Sequence, residues 1–133
     1  MAFVLDASVA VGWVVAKQAT DYSRRVRLRA KREPYHAPAL WRIEVANAVR
    51  SLVRRKSISA DAARTAIDIL ERMAPVIHLA KSGMGELLEF AIRYDLSVYD
   101  ATYLSLALEL HLPVACVDGR LADALKPAGL RKF

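Results

Sequence analysis

The chain has 133 residues, 55% of them hydrophobic and 26% charged, with a formal net charge of +6. That length suits a single domain over residues 1–133 with a core of its own, and the composition excludes a disordered chain. Cys116 is the single cysteine, which excludes an intrachain disulfide and fits a reducing cytoplasm.

No apolar stretch approaches the ~20 residues of a membrane span. No basic leader precedes the first apolar run, so a soluble cytoplasmic protein is expected. Phe3-Val4-Leu5 opens the chain as a short apolar run, the pattern of a strand buried on both faces in a parallel sheet. It ends in Asp6 and, two positions later, Ser8. Ligands of such sheets collect beyond the carboxyl ends of the strands, which is where Asp6 stands. The same aspartate can also serve simply to cap the helix that begins near Ser8.

Val9 to Ala16 is Val-rich and reads as a buried helix. Asp21 to Arg32 reads as a short helix carrying six positive charges, closed by Pro34. Most of these charges belong on a solvated face, with Arg24 and Arg25 as the candidate phosphate contacts. Tyr35-His36-Ala37 fits a strand between two prolines. His36, like His78 and His111, has no partner at metal-ligand spacing and is assigned a structural role.

Ala39 to Lys56 is helical, with Trp41, Val45, Ala48, Val49 and Leu52 as its apolar stripe. Glu44 sits at the border of that stripe, and Asn47, one turn later, is placed to orient it by a hydrogen bond. Ser59 caps a helix running to about Met73, and Pro75 to Leu79 is the next strand. Gly83 and Gly85 break up the start of a helix from Glu86 to Tyr94 and lack the third glycine of a dinucleotide fingerprint.

Ser97 to Leu110 is a helix with Ser97 as N-cap and Asp100 at capping-box spacing. Asp100 also shares the apolar face of Tyr103, Leu104 and Ala107, where a carboxylate is costly to desolvate. The helix end returns only ~0.3–1 kcal/mol of that cost. Leu112 to Gly119 repeats the opening pattern: an apolar strand, then Asp118, then a helix from Arg120. Lys126 to Phe133 is a short strand or tail. Strands and helices alternate throughout, so the class is α/β with a mainly parallel sheet.

Asp6 and Asp118 end strands, while Glu44 and Asp100 lie near helix starts, and one sheet edge can gather all four. Carboxylates crowded in this way raise one another's pKa unless a cation intervenes. Mg²⁺ or Mn²⁺ suits an all-oxygen site without paired His or Cys. Such an ion activates water and holds a phosphodiester for in-line attack. Because the remaining surface is basic, it draws polyanions by counterion release, and hydrolysis of a nucleic-acid backbone is the leading reading. Solubility alone is the competing account of the charge.

Leu5-Asp6-Ala7-Ser8, Glu44-x-x-Asn47, Tyr99-Asp100-Ala101-x-Tyr103 and the Val117-Asp118 strand end follow one another in order across nearly the whole chain. Together they resemble the signature of PIN-domain proteins, and of the VapC-type toxins among them. The resemblance implies a three-layer α/β/α sandwich around a mainly parallel sheet, and Mg²⁺- or Mn²⁺-dependent endoribonuclease activity on RNA. It also implies homodimers and inhibition by a VapB-type antitoxin, for which the apolar surface of the helices between Ala39 and Met73 is the expected groove.

Carried over position by position, the acidic site falls on Asp6, Glu44, Asp100 and Asp118, with Ser8 and Asn47 at supporting polar positions. The first three are expected to dominate metal binding, with Asp118 closing the pocket. Many relatives carry Thr or Ser where this chain has Cys116, a weaker hydrogen-bonding group. A haloacid-dehalogenase-type phosphatase would need a second Asp where Ser8 stands. A receiver domain would need neighbouring acids before its phosphorylated Asp and a late Lys after a strand, and neither is evident. The remaining rival is a catalytically silent PIN-like module that binds RNA or a protein.

Overall fold

Phe3–Leu5 forms β1, and all three of its side chains are fully buried. In the computed structural model, which describes residues 1–133, β1 lies between β2 (Tyr35–Pro38) and β4 (Val114–Ala115). The fourth strand, β3 (Val76–His78), pairs with the far side of β2, giving the order β3-β2-β1-β4 with every pairing parallel. A central parallel strand is covered on both faces, which is why Phe3-Val4-Leu5 shows no polar alternation. Parallel pairing also sends the carboxyl end of every strand to one sheet edge, and Asp6 follows β1 directly.

Seven helices cover the sheet: α1 (Ala7–Val14), α2 (Asp21–Ala30), α3 (Leu40–Arg54), α4 (Ala60–Arg72), α5 (Met84–Tyr94), α6 (Val98–Leu110) and α7 (Arg120–Leu125). They form two layers. α1 packs against α2, α3 and α4, whereas α6 packs against α5 and α7 and lies on β1 and β2. The expected α/β/α sandwich is thus present. One cluster of 23 buried residues joins the sheet to both layers, and a smaller one of Val11, Val15, Leu52 and Ala66 ties α1 to α3 and α4. No helix is long and apolar enough to cross a membrane.

Some elements depart from expectation. β4 is only two residues long, because Cys116 and Val117 run on without strand partners. The chain's end supplies what β4 lacks: Lys132 bridges to Val114, and the Phe133 N–H donates to the Val114 carbonyl at 2.9 Å. Phe133 stacks on Phe3 with ring centroids 4.0 Å apart, under the Arg29 guanidinium. α5 starts at Met84, so Gly85 lies inside it and only Gly83 stands at its cap. His36 is not alone: parallel pairing of β2 with β3 brings its Nδ1 to 2.9 Å from His78 Nε2. No third ligand joins them, so the pair is a cross-strand contact.

α1, which carries Asp6 at its cap, is held close to α2 by the absence of a side chain at Gly12. A Cβ there would meet Ser23 Oγ at 2.9 Å and the Gln18 carbonyl at 3.0 Å. Ser23 cannot easily yield, being buried and locked in a capping box with Thr20. Gly12→Ala is therefore expected to destabilise the protein by about 1–3 kcal/mol despite the better helix propensity of alanine. The check is a lower urea midpoint at unchanged slope.

Candidate active site

The turn from β1 into α1 fixes the first acid. Asp6 is the N-cap of α1, and its Oδ2 accepts from the Ser8 N–H at 3.3 Å and from the Ser8 hydroxyl in a short bond. The capping role and the site role therefore coincide in one residue. A cap of this kind in water holds its carboxyl low. Here burial outweighs the Ser8 bonds and pushes the Asp6 carboxyl above its ordinary value, and the charge of Asp100 pushes the same way.

Glu44 projects from the first half of α3, between the buried Trp41 and Val45 and the solvent. Its Oε1 is buried and has no hydrogen-bond partner. Burial raises the Glu44 carboxyl, the Tyr103 hydroxyl beside it works in the opposite direction, and Asp6 and Asp100 add to the rise. Asn47 does not supply the expected orienting bond. Three residues advance a helix by about 300°, and from a border position that step turns Asn47 out into solvent, where it is exposed.

The third acid comes from the start of α6. Ser97 Oγ accepts from the Asp100 N–H at 3.1 Å, which sets the helix start and leaves the Asp100 carboxylate half-buried. Burial raises this carboxyl as well, against a lowering contribution from Ser97. One turn on, Tyr103 is wholly buried. Its hydroxyl faces the Glu44 carboxylate and the Ala7 N–H, yet completes no hydrogen bond of normal geometry. Burial, with Asp6 and Glu44 nearby, holds the phenol far above the usual tyrosine range.

Asp118 is placed differently. Its side chain is 97% exposed and paired with Lys132 Nζ at 2.7 Å, which holds its carboxyl below the ordinary value. Its charge reaches Tyr22 and Cys116, so it belongs to the rim of the site and does not share the interior of the other three. Cys116 is buried between rim and interior. Burial and the charge of Asp6 push its thiol up to about 12, so it is neither a thiolate ligand nor a nucleophile at neutral pH. Of the two candidate arginines, Arg24 is paired with Asp21 at 3.1 Å. Arg25 stands over the Tyr22 ring at 6.0 Å, and Lys132 Nζ lies 4.3 Å from the same ring. Lys132, Tyr22 and Arg25 thus make a basic rim beside Asp118.

The interior set is all oxygen, which suits a hard divalent cation and no softer metal. No three acids, histidines or cysteines stand close enough together to hold an ion as they are. The three raised carboxyls and the unpartnered Oε1 of Glu44 are nevertheless what such an ion compensates, so the residues fit it.

Tyr103 and Lys132 were not legible as site residues. A tyrosine on a face otherwise made of Leu and Ala has to find a partner for its hydroxyl, and that signal was available one turn from Asp100. Lys132 offered none, because its contact with Asp118 depends on the tail pairing with β4.

The family model described as PIN domain matches residues 3–126. Ribonuclease VapC9 of Mycobacterium tuberculosis is 34% identical over 120 residues, covering 90% of this chain and 88% of that protein. Ribonuclease VapC1 of the same organism is 33% identical over 123 residues, covering 91% and 89%. Among solved structures, PAE2754 from Pyrobaculum aerophilum superposes with a TM-score of 0.71 at 20% identity, over 99% of this chain and 83% of that one. VapC20 of Mycobacterium tuberculosis, a Sarcin-Ricin loop cleaving toxin, superposes with a TM-score of 0.65 at 19% identity, over 98% of both. These two likenesses concern the fold alone.

Asp6, Glu44 and Asp100 all bind protons more tightly in the folded chain than in the unfolded one. Their contribution to stability is therefore fully present below about pH 4 and is lost as the pH rises through the raised values. In divalent-free buffer at pH 7, Glu44→Gln is expected to stabilise the protein by about 1 kcal/mol, or a few degrees in Tm. The same variant should flatten the loss of Tm between pH 4 and pH 7, measured by circular dichroism.

Proposed function

The chain belongs to the PIN-domain family, and from that membership we propose that it is a Mg²⁺- or Mn²⁺-dependent endoribonuclease, the toxin of a VapBC-type pair. The observation that carries this reading is the convergence of Asp6, Glu44 and Asp100, from β1–α1, α3 and α6, into one partly buried field with an unpartnered carboxylate oxygen. These three would hold the ion, which when bound supplies activated water and neutralises charge on the phosphate.

The chain's own residues do the rest. Ser8 fixes the Asp6 carboxylate by two bonds, and Ser97 fixes the start of the helix that presents Asp100. Lys132 and Arg25 stand on the rim where the phosphate backbone of RNA would run, and Asp118 is held there by Lys132 until a substrate phosphate competes for it. The net charge of +6 favours the encounter with RNA.

The reading includes a cytoplasmic homodimer and a VapB-type antitoxin. An apolar groove between α3 and α4, floored by Val49, Val53, Ala63 and Ile67 and edged by Arg50 and Arg64, supports the docking of an amphipathic helix from such a partner.

The test is incubation of the purified protein with mixed RNA, with and without Mg²⁺ or Mn²⁺. Cleavage is expected only with metal, and Asp6→Asn and Asp100→Asn should each lower it by more than about 100-fold, the upper end for losing a group behind a ligand. RNA binding without cleavage under every condition would mark a silent module and overturn the reading. Growth arrest on expression, relieved by co-expressing the neighbouring open reading frame, checks the toxin assignment.

A further inference from the structure

We propose that Tyr103 is a positioning residue whose hydroxyl holds the Glu44 carboxylate in the orientation from which the cation site is assembled. The proposal rests on reading that site as a divalent-cation centre and assigns a role to a residue outside the acidic set.

The Tyr103 hydroxyl is buried without a hydrogen-bond partner of normal geometry, and it lies beside the Glu44 carboxylate, whose Oε1 is likewise buried and unpartnered. Buried polar atoms are nearly always partnered, so a buried hydroxyl with no completed bond beside a carboxylate marks a bond that tightens in another state of the site. Packing does not account for the oxygen. Tyr103 is wholly buried, and phenylalanine would fill the same space without enclosing a hydroxyl.

The donor and acceptor roles are fixed by chemistry. An ionised carboxylate only accepts, so the phenol must donate to Glu44, and the Ala7 N–H, first in α1, faces the phenol oxygen as its own donor. Burial among acids keeps the phenol protonated, as this role requires. Asn47, one turn along α3, is turned to solvent and does not compete for it. Because a carboxylate has two oxygens, one held by the phenol leaves the other for a cation. The line from Ala7 through Tyr103 to Glu44 also joins α1, α6 and α3, the three helices that present Asp6, Asp100 and Glu44. The distance between these acids is thereby tied to one hydroxyl.

The experiment measures Mn²⁺ affinity by electron paramagnetic resonance for the wild type, Tyr103→Phe, Glu44→Gln and the double variant. Loss of a group that orients a ligand is expected to weaken Mn²⁺ binding by about 10- to 100-fold in Tyr103→Phe. Circular dichroism should be unchanged, as should KM for RNA at saturating Mn²⁺. In the Glu44→Gln background, Tyr103→Phe should weaken binding no further.

Wild-type affinity in Tyr103→Phe overturns the proposal. So does an equal further loss in the Glu44→Gln background, which would mean that the hydroxyl acts elsewhere. Loss of the fold in Tyr103→Phe overturns it too, by making the hydroxyl structural. Failure of the wild type itself to bind Mn²⁺ would instead overturn the cation centre, and this proposal with it.

Discussion

Withdrawing a carboxylate from water tightens its hold on a proton, and folding this chain does so to Asp6, Glu44 and Asp100. The charge of Asp100 adds to the rise at Asp6 and Glu44, and that of Asp6 adds at Glu44. That cost of burial works against the fold, and the rest of the architecture has to oppose it. It does so with a core of 23 residues that includes the whole strand before Asp6 and the inner face of the helix behind Asp100. The acids are therefore carried on rigid elements. Asp6 cannot retreat without uncapping α1, and Asp100 cannot retreat without unwinding the first turn of α6. Of the three, Glu44 is the one with a buried carboxylate oxygen left unpartnered.

The fourth acid lies outside this field, exposed at the rim, where the tail of the chain pairs with it. Lys132 reaches Asp118 from a tail that pairs with β4 and whose Phe133 stacks on Phe3. The Tyr22 hydroxyl donates to the Phe133 carbonyl at 3.2 Å, which anchors the same segment from α2. The basic rim is thus built into the core at one end and exposed at the other. A positive edge beside a negative interior is the charge distribution that accepts a phosphodiester and a cation together.

Much of this was legible in the sequence because a parallel sheet leaves plain marks. Its central strands must be apolar on both faces, so a carboxylate directly after Phe3-Val4-Leu5 stands out, as does one on the apolar face of the helix at Asp100. The helix borders were readable from Ser59 and Ser97, whose hydroxyls do cap the helices that follow them. What escaped depends on contacts between distant segments. The His36–His78 pair exists only once β2 and β3 are in register. The shortness of β4 and the hold of Lys132 on Asp118 likewise follow from tertiary placement, on which local pattern is silent, whereas the outward turn of Asn47 follows from the helical period itself. Tyr103 lies between these cases: its place on the helix face was readable, but its neighbour Glu44, on another helix, was not.

The most direct test of the shared field is a ¹³C NMR titration of the side-chain carboxyls, with and without Mg²⁺. The expected result is that Asp6, Glu44 and Asp100 titrate above their ordinary values in divalent-free buffer while Asp118 titrates below its own. Addition of Mg²⁺ should then pull the first three down together. Ordinary, independent titration of those three, unmoved by Mg²⁺, would contradict the account.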